Sequence, residues 1–165
     1  MSIEKQLARF ERSLDDFARC VGVLDQGSFT KEINRWSPRD ILAHLIGWNR
    51  YVVEGSKQIK TGELPFYDVD PGENYSKVNA ILIREYPSED RMELLDELRT
   101  SAKELIEFLR SLDPGDWARD YGVRNKGTIV TIRGTVDELI ADYVHHRNQI
   151  MDWASGAGRS TIAST

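Results

Sequence analysis

Three side chains in this sequence have the chemistry to act together on one ion or one proton: His44, Asp142 and His146. Asp142 and His146 stand four residues apart, which on a helix makes them neighbours on one face, near enough to grip a single ion. Imidazole nitrogen and carboxylate oxygen both suit borderline divalent ions, but two such ligands hold one only weakly. His44 would supply the third. Two imidazoles and a carboxylate with open positions are the arrangement of a catalytic zinc site or a non-haem iron site. Without metal, Asp142 would instead orient His146 as a general base, or the two would form a plain ion pair, closed by Arg39 or Arg50.

These groups need helices to bring them together. Leu139, Asp142, His146, Ile150 and Trp153 recur at spacings of three and four, so they share a face that should point at a core. Polar groups on such a face are costly unless paired or coordinated. Thr135 and Glu138 have the spacing of a capping box, which predicts a helix over Thr135–Ala154. His145 falls on its flank. His44 sits in the stripe Ile41, His44, Leu45, Trp48 of a second helix, predicted over Ser37–Thr61, with Ser37 as N-cap and Pro38 in the first turn.

Two further stripes complete the set. Ile3, Leu7, Phe10, Leu14, Phe17, Val21 and Leu24 predict a helix over Ile3–Asp25, and Leu95, Leu98, Ala102, Leu105, Leu109 and Leu112 one over Ser88–Leu112. A shorter helix is expected from Tyr75 to Glu85. Between the second and third long helices, Glu63–Asn74 is rich in proline, glycine and acids and reads as a solvated loop. Its Asp68, Asp70 and Glu73 do not have EF-hand spacing. Gly122, Gly127 and Gly134 punctuate the stretch before the last helix, where Thr128–Ile132 is β-prone and Arg124, Lys126 and Arg133 make a local basic patch. The expected architecture is all-α: an up-and-down four-helix bundle over residues 1–154 with a short extra helix and long connecting loops, and a flexible tail at 155–165.

Composition sets the remaining bounds. At 165 residues the chain suffices for one domain with a real core, and 40% hydrophobic with 30% charged residues is the balance of a globular protein. A formal charge of −5 argues against a nucleic-acid surface. No run of 18 apolar residues and no signal-type start suggest a membrane route. The single Cys20 cannot form an internal disulfide, which fits a cytoplasmic location. In a bundle, pockets form between facing helices. Trp48 and Tyr143 are therefore expected as core aromatics or substrate-binding walls, and Tyr51 or Tyr143 as a proton donor beside the catalytic pair Asp142 and His146.

Two motifs carry a family resemblance. Trp36-Ser-Pro-Arg-Asp-Ile-Leu-Ala-His-Leu45 resembles the second-helix motif of the DinB-like superfamily, in which Trp-Ser/Thr precedes a metal-ligand histidine, and His145-His-Arg-Asn-Gln-Ile150 resembles its closing His-His-Arg-Gly-Gln-Ile motif. The resemblance spans most of the chain in helix order. It implies a four-helix bundle, commonly a homodimer, with a nickel- or zinc-type site made by three histidines. Position by position, the first ligand matches His44 and the last His146, while Asp142 stands where the middle histidine would be. The superfamily includes bacillithiol- and mycothiol-dependent transferases and maleylpyruvate isomerase-like enzymes. The Leu45-Ile-Gly-Trp48 run and the long connection after it are similar to the ClbS/DfsB branch, one member of which protects its host against a cyclopropane-bearing genotoxin.

Three functional classes follow. The first is an enzyme, a hydrolase or thiol-transferase-type detoxification enzyme whose His/Asp/His pocket activates water or a thiol against a small electrophile. The second is a protein that sequesters a small molecule without turning it over. The third is a helical interaction module whose polar cluster only sets packing.

Overall fold

The computed structural model describes residues 2–163. The first apolar stripe forms α1, Ile3–Gly22, capped by Ser2, whose side chain accepts from the Lys5 amide. The helix stops short of Asp25 because that carboxylate caps a new turn, α2, Gln26–Phe29, which tucks Phe29 into the core. Helix α3, Pro38–Lys60, starts where the sequence places it: Ser37 and Asp40 close a reciprocal capping box, with Pro38 in the first turn. Helix α4, Ser76–Glu85, is the short extra one, and α5, Arg91–Ser111, is capped by Asp90. A turn, α6, Pro114–Trp117, precedes a small antiparallel hairpin of β1, Arg124–Asn125, and β2, Thr128–Ile129. The β-prone run thus forms only two paired residues, because Lys126 and Gly127 supply the left-handed turn that a tight hairpin needs.

Helix α7 runs Ile132–Ala163, longer than expected at both ends. Thr131, not Thr135, is the residue that starts it: its hydroxyl accepts from the Gly134 amide, and Thr135 lies already in the first turn. The helix also continues past Ala154 through most of the stretch expected as a tail, and Ser164 and Thr165 lie outside the described residues.

The four long helices pack as a bundle around Phe10, Phe17, Leu45, Leu98, Leu105, Val136, Tyr143 and Ile150, all at most 2% exposed. Each such side chain contributes on the order of 1.5–3 kcal/mol by burial, so packing rather than helix propensity holds the fold. Helix α1 packs on α5 and α7, and α3 packs on the same two. The partners fix the directions. Arg39 meets the carbonyls of Tyr86 and Ser88, Asn49 meets Ser101 and Lys60 meets Asp116, so α3 and α5 run parallel. Gln6 meets Asp137 and Cys20 meets Arg147, so α1 and α7 are parallel too. Simple up-and-down alternation is therefore corrected to up-down-down-up. The reason is the connection from Thr61 to Asp90, long enough to cross back over a helix of roughly 30 Å.

That crossover builds one wall of the site. Gly47 and Gly55 let it lie flat on α3: a Cβ at Gly47 would sit 2.4 Å from Leu82 of α4, and one at Gly55 2.5 Å from the Tyr67 ring. A buried polar chain then locks three helices in register. Tyr143 of α7 donates to Asn49 of α3 (2.8 Å), which donates to Ser101 of α5 (3.0 Å). No helix among the described residues is long and apolar enough to cross a membrane.

Candidate metal centre

His44 lies in the second turn of α3, and Asp142 and His146 lie midway along α7, antiparallel to it. The structure brings the three together as the spacing predicts. His44 Nε2 is 3.2 Å from Asp142 Oδ2, and His146 Nε2 is 3.1 Å from Asp142 Oδ1. One ligand atom from each lies within 4.8 Å of the others. The indole of Trp36, set by the turn before Ser37, packs over both rings at 4.8 Å and 6.1 Å between centroids. Neither arginine closes the cluster. Arg39 is taken by Asp40 and two loop carbonyls, and Arg50 by Glu97 and Glu104.

Hydrogen bonding assigns the ring protons. His44 Nδ1 faces the Ile41 carbonyl, which only accepts, so Nδ1 carries the hydrogen. His146 Nδ1 likewise donates to Gln149 Oε1 at 3.0 Å. Both Nε2 atoms are left to face one carboxylate. Burial pushes the His44 imidazole below its ordinary pKa, towards the neutral form, although the hydrogen bond and charge of Asp142 oppose this. Burial would raise Asp142, but hydrogen bonds from His146 and His44 in their protonated forms, with the charges those forms carry, hold its carboxyl well below the usual range. In its neutral form, with the hydrogen on Nδ1, His44 would turn a lone pair towards a carboxylate oxygen 3.2 Å away. Either a proton on Nε2, which burial opposes, or a shared cation reconciles them. The donor set fits a divalent ion. Each imidazole points one nitrogen at a common centre while the other is tied to a carbonyl-type oxygen, the outer support that metal-ligating histidines use.

A cavity of about 590 Å³ opens on this cluster between α3, α7, α4 and the crossover. Trp48 lines it as expected, its indole N–H donating to Asn79 of α4 at 2.7 Å. Tyr143 does not, which corrects its expected role as a substrate wall. It is fully buried, edge-on to Phe10 and Phe17, with its hydroxyl given to Asn49. Tyr51, two turns along α3 from His44, is also absent from the lining and packs edge-on with Trp48 and Phe66. His145, on the flank as expected, reaches the cavity rim.

Several lining residues escaped the sequence reading. The Glu63–Asn74 stretch is not a free loop: two single turns, Phe66–Asp68 and Glu73–Tyr75, carry Tyr67 and Tyr75 onto the cavity. Asn74 and Tyr75 both hold left-handed backbone angles, at φ 52° and 60°, a conformation that costs on the order of 1–3 kcal/mol per residue and collects at functional sites. The Tyr75 hydroxyl is anchored on Asp68 at 2.6 Å. Glu138, taken above as a capping residue, lines the cavity with Thr135, one turn before Asp142. Its spacing to Asp142 was the available signal.

Comparison with known proteins agrees with this architecture. No curated protein matches the sequence. Among solved structures, the chain is similar to the sibling lethal factor precursor DfsB, at 14% identity and TM-score 0.78, covering 95% of this chain and 97% of that one. It is similar to the colibactin self-resistance protein ClbS, solved with double-stranded DNA, at 15% identity and TM-score 0.72 over 93% and 95% of the two chains. It is also similar to a mycothiol-dependent maleylpyruvate isomerase, at 16% identity and TM-score 0.72 over 91% of this chain but 61% of that one. At these identities the likeness is one of fold. The sequence model of the DinB superfamily matches residues 6–150, from the first turns of α1 to beyond His146 in α7, and the chain belongs to that superfamily.

Proposed function

We propose that this protein is a metal-dependent enzyme acting on a small molecule, a hydrolase or thiol-transferring detoxification enzyme, with a zinc or nickel ion held by His44, Asp142 and His146. One observation carries the reading: two imidazoles, each tied at Nδ1, aim Nε2 at the same carboxylate at the end of a cavity. When bound, such an ion acts as a Lewis acid and lowers the pKa of a water or thiol. The protein's own groups do the rest. Ile41 and Gln149 fix the ring orientations, Asp142 offers an oxygen to each side, and Trp36 and Leu139 shield the cluster. The volume suits a drug-sized ligand. A net charge of −5 favours a small molecule over a nucleic acid, and the likeness to a colibactin self-resistance protein and to a mycothiol-dependent isomerase supports detoxification chemistry of the ClbS/DfsB-like kind.

The aromatic wall of Trp36, Trp48, Tyr67 and Tyr75 favours a second reading, capture without turnover. Two generic reactions separate them: hydrolysis of p-nitrophenyl acetate, and addition of a thiol to 1-chloro-2,4-dinitrobenzene. Zinc- or nickel-loaded protein should exceed both chelated protein and His146→Ala by at least about tenfold in one of them, the low end of the gain expected from an activated nucleophile. Equal rates in all three samples would favour capture.

A further inference from the structure

The cavity is chemically lopsided. Among the described residues that line it there is no lysine or arginine, while Glu138 and Asp142 both open into it. Asp142 belongs to the candidate metal centre, but Glu138 has no partner of opposite charge among the described residues. Asp68 stands behind Tyr75, near enough for its charge to bear on Glu138. Desolvation raises the pKa of both carboxyls, and at Glu138 the charge of Asp68 adds to it, as expected of a half-buried acid with a like charge nearby. Around them stand aromatic faces: Trp48 packs edge-on to Tyr67 and Tyr75, at 5.0 Å and 5.4 Å between centroids. Tyr67 is 5% exposed and lines the cavity, with Thr135 beside its hydroxyl.

We propose that the cavity selects small molecules carrying a protonated amine, which pairs with Glu138 beside the aromatic wall of Trp48 and Tyr75. Carboxylate and aromatic faces both attract an ammonium, and the attraction strengthens as water is excluded. Glu138 and Asp142 are one helical turn apart, roughly 5–6 Å between Cβ atoms, so an ammonium on Glu138 sits beside the cluster of His44, Asp142 and His146. The substrate is thus bifunctional, with a cationic end at Glu138 and a reacting end at the candidate metal centre. This assignment deepens the enzyme reading above and rests on it for the reacting end. The charge preference belongs to the other end of the cavity.

The test uses three probes of one shape and different charge: benzylamine, benzyl alcohol and benzoate. Binding is measured by calorimetry at pH 7 on the full chain, once after exhaustive chelation and once after zinc loading. Chelated protein should bind benzylamine at least about tenfold more tightly than either other probe. Glu138→Gln, nearly isosteric, should reduce the preference to within about threefold while benzyl alcohol binds as before, and Asp68→Asn should reduce it by a smaller factor. The proposal is overturned if benzylamine shows no advantage, if no binding of it is detected, or if the advantage survives Glu138→Gln in protein whose circular dichroism matches wild type. Because the preference is read without metal, failure of the metal reading would leave it intact, and its own failure would leave the metal reading standing.

Discussion

Adding a strong chelator to the metal-loaded protein lowers its melting temperature by roughly 5–10 °C. An ion bound only to the native state stabilises it by mass action, about 2.7 kcal/mol when the ion is present at a hundred times its dissociation constant. For a chain of this size each kcal/mol moves the midpoint by about 2–4 °C. The effect should vanish in His146→Ala, which removes one of the two nitrogens facing Asp142 at 3.1 Å and 3.2 Å. It should persist in His145→Ala, because His145 sits on the rim beside His146 and outside the group whose ligand atoms converge. Differential scanning calorimetry with and without chelator reads all three proteins. Equal shifts in wild type and His146→Ala would contradict the ligand assignment.

Asp142→Asn has the second large effect, and it separates the two states of the site. With metal, the substitution removes a ligand charge and lowers affinity by at least about 100-fold, more than outer-sphere partners are worth. Without metal, the variant loses the charge-assisted contacts to His44 and His146. About a third of the Asp142 side chain meets water, so screening holds that loss near 1 kcal/mol. The pH dependence follows from the depressed carboxyl. A group whose folded pKa lies below its unfolded value stabilises the fold fully above about pH 4 and loses that contribution as pH falls through the folded value. In chelated protein, urea unfolding should therefore show wild type ahead of Asp142→Asn at pH 7, with the gap closing in strong acid. A gap that widens in acid would mean the carboxyl is not held in its charged form.

Helix stripes carried most of the fold, because a period near 3.6 is imposed by backbone geometry and survives any tertiary arrangement. The same period could not set the direction of α5, which depends on where the crossover lands after covering the face of α3. Nor could it say where on the inner arc of α7 the cavity begins. Tyr143 and Asp142 are adjacent, yet one edge of the arc meets Phe10 and Phe17 while the other meets open space. His44 and His146 were legible because a buried imidazole on an apolar stripe demands a partner. Tyr67 and Tyr75 were not, since they lie in a segment whose prolines, glycines and acids read as solvated. Its signal was the Phe66-Tyr67 pair, two large rings that a solvated loop has no reason to carry. Glu138 was visible at the right spacing but had a competing explanation in the capping box, whereas the structure puts the helix cap at Thr131.

The most direct test of the His44, Asp142 and His146 centre is elemental analysis of protein purified without a histidine tag, dialysed after incubation with zinc and nickel. The account predicts close to one equivalent of divalent metal per chain in wild type and in His145→Ala. It predicts less than about a tenth of that in His44→Ala and in His146→Ala. Wild type that retains no metal, or a His44→Ala/His146→Ala double variant that retains as much as wild type, would contradict it.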